Sequence, residues 1–305
     1  MKLDEIAQRR TWQIMNAGQS GGQIELSGWD FGGSGEIALL QHANGMCAAL
    51  WALVATELTD RYHVIAIDAR GHGDSQHLTV PDDYGWDVFV QDILHVTELI
   101  FEQTQQDQIA LAIGSSFGGI VLAGAEAKSP GLMRRLVMLD PPIHPTEALA
   151  EQMGVEWQAA PSMREGLVEQ TLKRKYVWES REAADAGWRA KPLFAPWDDR
   201  AFALYLDEGM RERDDGQVEL KCHPTVEAHI FASTGSLGLF DYAPVVTIPV
   251  DLVHAKHGHF RYEFYQHIAK VFPNCELSQL DAGHMLPLEA PAAVVELVYE
   301  RLQCD

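Results

Sequence analysis

The feature that most constrains this chain is a short apolar run followed at once by a glycine-flanked serine. Ile109–Ile113 is almost unbroken in its apolarity. Gly114-Ser115-Ser116-Phe117-Gly118-Gly119 comes next and leads into the apolar, alanine-bearing stretch Ile120–Ala125. A run of that length reads as a strand buried on both faces of a parallel sheet, and the stretch beyond it reads as a helix. Strand, Gly-x-Ser-x-Gly and helix in direct succession put the serine on a sharp, strained turn, with its hydroxyl projecting above the sheet. Gly114 and Gly118 are required where strand and helix pass so close to the turn that a Cβ would clash. Ser116 then lies at a helix N-terminus, and the Phe117 N–H is available to a negative oxygen.

The five-residue pattern alone says little, since roughly one chain in ten of this length carries it by composition. A second copy, Gly18-Gln19-Ser20-Gly21-Gly22, sits between two strand-like segments, 11–16 and 23–31. With no buried strand before it and no helix after it, that copy reads as a hairpin turn, and Ser20 is set aside in favour of Ser116.

The 305 residues suffice for one large α/β domain with an insertion, and 47% hydrophobic against 22% charged residues suits a soluble enzyme with a sizeable core. The first ten residues, MKLDEIAQRR, lack the apolar centre of a signal peptide, and no apolar run approaches the ~18 residues of a membrane span, so a cytoplasmic protein is expected. Cys47, Cys222, Cys275 and Cys304 are scattered without metal-type spacing and are expected to be reduced thiols. A formal charge of −21 argues against nucleic acid and anionic membranes as partners.

Taken in order, residues 11–31 read as an antiparallel hairpin at a sheet edge. Strand 36–42 and helix 47–58 follow, then strand 63–68 and helix 86–101. The central strand and turn come next, then helix 117–127 and strand 135–140. Such alternation means a doubly wound, mostly parallel sheet. It stops at Pro141-Pro142. From there to about Pro244 charge and large aromatics dominate: Trp157, Tyr176, Trp178, Trp188, Phe194, Trp197, Phe202, Tyr205 and Phe231. That segment shows helical spacing and no convincing strand. Strand 245–254, helix 262–272, strand 276–281, loop 282–285 and helix 288–302 complete the chain. The expected division is a core in two parts, 1–141 and 245–305, with a helical cap at 142–244.

These residues resemble the α/β-hydrolase fold enzymes over nearly the whole core. The resemblance rests on His42-Ala43-Asn44-Gly45 after a strand, on Asp68-Ala69-Arg70-Gly71-His72-Gly73-Asp74-Ser75, on the turn at 114–118, and on Asp281-Ala282-Gly283-His284-Met285-Leu286-Pro287-Leu288-Glu289. The 142–244 segment resembles the caps of esterases, C–C hydrolases and acyl-thioester hydrolases. The resemblance implies a serine nucleophile at Ser116 and its base at His284, which lies in a loop before the last helix, following the chain order serine, acid, histidine. In the commonest pattern the acid follows the strand that resumes after the cap. Here that region, Val253-His254-Ala255-Lys256-His257-Gly258-His259-Phe260, holds no carboxylate before Glu263. A variant of the family places the acid just before the cap, where Asp140 stands; Asp140 is therefore the expected acid and Glu263 the alternative. The oxyanion hole is expected from the backbone N–H groups of Asn44 and Phe117, with Ala43 replacing the family's usual glycine.

Asp68 and Arg70 read as a structural turn and ion pair. His254, His257 and His259, with Asp251, have a spacing that can chelate a transition metal. Strand alternation sends His254 one way while the others sit on a loop, so no metal and no cofactor are expected, and one of these histidines is available to face the pocket. Glu227 and His229 read as a solvated helix face rather than site residues. The expected activity is hydrolysis of a carboxylic ester or acyl thioester through an acyl-enzyme on Ser116, with a small-molecule acyl substrate and a monomer or homodimer. The alternatives are hydrolysis of a C–C bond in a diketone-like substrate by the same residues, or a slow-turnover small-molecule receptor on the same fold.

Overall fold

The computed structural model describes residues 2–143, 147–152, 154, 159–233 and 238–302. Its frame is an eight-stranded sheet made of β1 (Gln8–Met15), β2 (Gln23–Gly32), β3 (Glu36–Gln41), β4 (Tyr62–Ile67), β5 (Ile109–Ser115), β6 (Leu136–Leu139), β10 (Val250–Ala255) and β11 (Cys275–Leu280). The order is β1-β2-β4-β3-β5-β6-β10-β11. From β4 onward in that order every neighbouring pair is parallel. The β1–β2 hairpin closes one edge antiparallel, and its turn carries Gly18–Gly22. Ser20 sits in that turn, exposed, with its N–H donating to Asp83 Oδ1 at 3.0 Å.

β5 is buried at every position, as its apolar sequence requires. Its pairing with β3 slips between Ile109 and Leu111, which leaves Ala110 as an extra residue. Beyond this bulge the alternation places Leu111 and Ile113 in one core, while Ala112 joins Ile109 in the other. The first core is covered by α1 (Ala52–Leu58) and the C-terminal helix Pro291–Leu302. The second is covered by α2 (Trp86–Thr104), α3 (Phe117–Lys128) and α10 (Tyr262–Ile268). Helices on both faces of a parallel sheet make this a doubly wound α/β fold, as the alternation predicts. β10 begins at Val250 rather than at Val245. Ala243–Val245 is a 3₁₀ turn, and Pro249 has no N–H to give a ladder, so pairing starts only after it.

Between β6 and β10 the chain forms α4 (Glu147–Gln152), α5 (Ala159–Leu172), α6 (Arg181–Trp188), α7 (Asp199–Glu208), α8 (Pro224–Ser233) and α9 (Leu239–Tyr242). The expectation of a segment without strands is corrected here. β7 (Val177–Trp178), β8 (Met210–Glu212) and β9 (Val218–Leu220) form a separate three-stranded sheet in the order β7-β9-β8. Strands of two or three residues are too short for period-two alternation to stand out. The local signal was the Asp214-Asp215-Gly216 turn, where Gly216 has φ 80° and the Arg213 N–H donates to the Gln217 carbonyl. Most aromatics of this segment pack on one another. Trp188–Phe194, Phe194–Trp197 and Trp188–Tyr205 have ring centroids 5.5, 5.0 and 5.6 Å apart, and all four residues join the core over α1. Trp157 and Cys304 lie outside the described residues. Cys47 and Cys222 are buried free thiols, and Cys275 is half-buried and free.

Candidate active site

The turn after β5 is as tight as its glycines demand. Ser116 has φ 51° and ψ −118°, which L side chains rarely adopt. A Cβ on Gly114 would come within 2.4 Å of the Gly119 nitrogen, and one on Gly118 within 2.3 Å of the Gln41 carbonyl. The helix therefore starts against the ends of both its own strand and β3. The Ser116 N–H donates to the Leu139 carbonyl at 2.8 Å, which fixes the turn to β6.

Asp140 is the first residue after β6, fully buried, with φ 45°. Its N–H donates to the Val253 carbonyl at 2.8 Å. Its Oδ1 accepts from the Ala255 N–H and lies 2.9 Å from the Tyr265 hydroxyl, and its Oδ2 is 2.7 Å from His284 Nδ1. His284 Nε2 in turn is 3.1 Å from Ser116 Oγ, although 168 positions of chain separate them. With the carboxylate on one side, Nδ1 carries the proton and Nε2 is left to accept from the serine hydroxyl. The loop bearing His284 is held by Glu289, whose two carboxylate oxygens accept from the amides on either side of it, Gly283 at 2.7 Å and Met285 at 3.0 Å. Glu263, the alternative acid, is on the first turn of α10. Its side chain is 54% exposed and 3.7 Å from Arg261, and among the described residues no hydrogen bond or ion pair joins it to His284.

Among the described residues, neither the Asn44 nor the Phe117 backbone N–H donates a hydrogen bond. Gly118 lies against Gln41 and His42, so the turn and the loop 42–45 are neighbours. That loop is fixed by two buried histidines. His42 donates from Nδ1 to the Ala43 carbonyl at 2.8 Å and accepts at Nε2 from the Ala69 N–H at 2.9 Å. His72 donates from Nδ1 to the Arg70 carbonyl and accepts at Nε2 from the Gly45 N–H, both at 3.0 Å. Burial lowers the pKa of His42 to about 4 and that of His72 well below its usual value, so both are neutral and keep one nitrogen free to accept. Two backbone N–H groups that make no hydrogen bond among the described residues, on a turn and a loop that adjoin, are available to an oxygen that becomes negative at an attacked carbonyl.

Arg70 is not paired with Asp68, contrary to the expectation from the motif. Its guanidinium makes a two-pronged ion pair with Asp92 at 2.6 and 2.5 Å, and both side chains are buried. Asp68 instead accepts from the amides of Ala48 at 2.7 Å and Asp74 at 3.1 Å, and burial raises its pKa to about 6. Sequence spacing favours a near neighbour, whereas a buried guanidinium goes to the carboxylate that can meet it with two oxygens.

Glu227 is also corrected, because it is buried rather than on a solvated face. Its carboxylate lies where a Cβ on Gly45 would touch it at 3.0 Å, and its oxygen pairs with Arg174 at 2.6 Å. Arg174 also donates to the Tyr205 hydroxyl at 2.8 Å. His229 is half-buried and stacks on Tyr84. Of the clustered histidines, His254 is buried on β10 and bonded to the Phe260 carbonyl and Gln279. His257 pairs with Asp281 at 2.9 Å, and the His259 ring is 6.2 Å from that of His284. A cleft of about 440 Å³ opens beside His284, lined by His257, His259, Glu289, Pro192, Leu193 and Pro196 among others. Asp251, the fourth member of that cluster, is buried and pairs with Arg135 at 2.6 Å. Tyr265, Glu289, His72 and Arg174 were not singled out by the sequence. Only Glu289 and His72 lay inside quoted motifs, and nothing in the spacing marked Tyr265 or Arg174.

Residues 37–297 match the family model described as "Alpha/beta hydrolase family". Among curated proteins, the (E)-2-((N-methylformamido)methylene)succinate hydrolase of Acinetobacter baylyi is 27% identical over 160 residues. That match spans 52% of this chain and 57% of the relative, about half the length of each. The N-formylmaleamate deformylase of Pseudomonas putida is 24% identical over 279 residues, covering 88% of this chain and 91% of the relative. Among solved structures, E-2-(acetamidomethylene)succinate hydrolase superposes with a TM-score of 0.78 at 18% identity, over 97% of this chain and all of the other. Sheet order, flanking helices and the match across most of its length establish that the chain belongs to the alpha/beta hydrolase family.

Proposed function

We propose that the protein is a serine hydrolase that cleaves a small carboxylic ester or acyl thioester through an acyl-enzyme on Ser116. The observation that carries this is the continuous contact from Ser116 Oγ to His284 Nε2 at 3.1 Å and from His284 Nδ1 to Asp140 Oδ2 at 2.7 Å. In this reading Ser116 Oγ attacks the carbonyl carbon as His284 Nε2 takes the hydroxyl proton. The oxygen that gains charge is held by the Asn44 and Phe117 N–H groups. His284 then gives its proton to the departing alcohol or thiol. Water, deprotonated by the same nitrogen, attacks the acyl carbonyl and frees Ser116 with release of the acid. Asp140 keeps the proton on Nδ1 and stabilises the imidazolium that forms in each half. The segment 142–244 acts as a cap over this site, with Glu227 and Arg174 above the loop that carries Asn44.

A second reading, hydrolysis of an N-acyl bond in a small carboxylate-bearing compound by the same steps, is favoured by a specific observation. The relative matched along nearly all its length is named for removal of a formyl group from a maleamate, and the structural neighbour for an acetamidomethylene succinate. The test is a fluorophosphonate label followed by a substrate panel at equal concentration: p-nitrophenyl esters, acyl thioesters, an N-formyl amide and a ring-cleavage dienol. Labelling at Ser116 with turnover of the esters or thioesters supports the main reading. Turnover confined to the amide moves the assignment to the second, and turnover confined to the dienol moves it to C–C cleavage. A folded protein that takes no label, or a Ser116→Ala variant that still turns over, removes the acyl-enzyme altogether.

A further inference from the structure

The acid of this site leaves the sheet after β6, and the segment after β10, where the commoner family pattern keeps its acid, holds no carboxylate before the exposed Glu263. That segment has not become idle, because it encloses the Asp140 carboxylate. Ala255 gives its N–H to Oδ1 at 2.9 Å. Gly258 lies so near that a Cβ there would come within 2.8 Å of Oδ2. Tyr265, on the buried face of α10 and fully excluded from solvent, brings its hydroxyl 2.9 Å from Oδ1 and 2.7 Å from the Pro141 carbonyl. The single hydroxyl proton is thus shared between the carboxylate and the Pro141 carbonyl one residue on, beside a residue whose φ of 45° is strained. The ring itself is fixed by the edge of His254, 4.7 Å away, and His254 is bonded at both nitrogens, to the Phe260 carbonyl and to Gln279. Burial and the adjacent Asp140 push the Tyr265 hydroxyl well above its usual pKa, so it remains a donor throughout the working range.

We propose that Tyr265 is a positioning residue for the acid: its hydroxyl holds Oδ1 so that Oδ2 is the oxygen offered to His284, and it draws negative charge away from Oδ2. The inference rests on the reading of Ser116, His284 and Asp140 as a working set. The physical consequence has a sign. A hydrogen bond to a carboxylate stabilises its charged form and spreads that charge; removing the donor leaves more charge facing His284 Nδ1, which favours the imidazolium. The acid limb of the kcat/KM profile, where His284 takes up a proton, then moves to higher pH.

The experiment compares wild type, Tyr265→Phe, Asp140→Asn and the double variant on the best ester or amide of the panel. For Tyr265→Phe the expected result is a fall in kcat of about tenfold with KM within about twofold. The acid limb is expected about half a unit higher. In the Asp140→Asn background the same substitution is expected to add less than about twofold, because the group it acts through is gone. Unchanged kcat and acid limb in a folded Tyr265→Phe protein, or equal losses with and without Asp140, overturn the proposal. Should Tyr265→Phe fail to fold, 3,5-difluorotyrosine at 265 keeps the ring and makes the hydroxyl a stronger donor; the acid limb is then expected to move to lower pH, and an unmoved limb overturns the proposal equally. Fluorophosphonate labelling of wild-type Ser116 separates the two levels: an unlabelled wild type removes the underlying reading, whereas a labelled wild type with an indifferent Tyr265→Phe removes this inference alone.

Discussion

At the scale of single residues, strain marks the site. Among the described residues the non-glycine positions with positive φ are Gln105, Ser116 and Asp140, and two of these face His284. Each such backbone costs about 1–3 kcal/mol unless its surroundings hold it in place. Here the holding contacts are visible: the Leu139 carbonyl for Ser116, and the Val253 carbonyl with the Ala255 amide for Asp140. Of the two carboxylates considered for the acid, Asp140 is the one in hydrogen-bond contact with His284. Asp140→Asn is expected to lower kcat on a p-nitrophenyl ester by about 10³–10⁴-fold with the fold intact, because an amide in that place favours the wrong imidazole tautomer. Glu263→Gln is expected to leave kcat within about twofold, as an exposed side chain away from the site should. Steady-state kinetics on both variants reads the outcome, and a large loss in Glu263→Gln alone would reverse the assignment.

At the scale of elements, the contact between α3 and β3 joins the serine turn to the loop carrying Asn44. Gly118→Ala tests this junction. Its Cβ would lie 2.3 Å from the Gln41 carbonyl and 2.8 Å from that of His42, both of them backbone, so one element must shift. The expected result is a loss of about 2 kcal/mol or more in urea unfolding and a fall in kcat larger than in KM, since in the proposed mechanism the displaced loop supplies the Asn44 N–H to the oxyanion. The elements legible in the sequence were those with a period or a punctuation of their own: the unbroken run of β5, the alternation of Trp12 and Ile14 in β1, and the glycines around Ser116. Legible too were Ser116, His284 and Asp140, because each sits at a strand end or strand-following loop where few alternatives exist. What stayed hidden depended on pairing at a distance. β7, β8 and β9 are too short to carry a pattern, the partner of Arg70 is a helix away at Asp92, and Tyr265 meets Asp140 only because α10 packs back on β10, the strand beside β6.

At the scale of the whole molecule, burial of titratable groups gives stability a dependence on pH with opposing parts. His42 is held neutral with its pKa lowered to about 4, so it contributes stability above its unfolded value near 6.5 that is lost as pH falls toward 4. Asp68, with its pKa raised to about 6, works the other way: its contribution is fully present below about 4 and is lost as pH rises through 6. Removing that second part steepens the acid loss. The difference in unfolding free energy between wild type and Asp68→Asn, measured by urea titration, is expected to shift toward wild type by about 2 kcal/mol between pH 7 and pH 4. A difference that is flat with pH would place the proton elsewhere. The sheet has a further consequence. β5 and β6 are neighbours with Ser115 paired to Leu139, so the hydroxyl and the carboxylate leave the sheet side by side on adjoining rails. The spacing of the two is therefore set by the pairing of one pair of strands. The imidazole that joins them comes from a third place, a loop gripped by Glu289 rather than by the sheet, so its placement is the one part of the array that the ladder does not set.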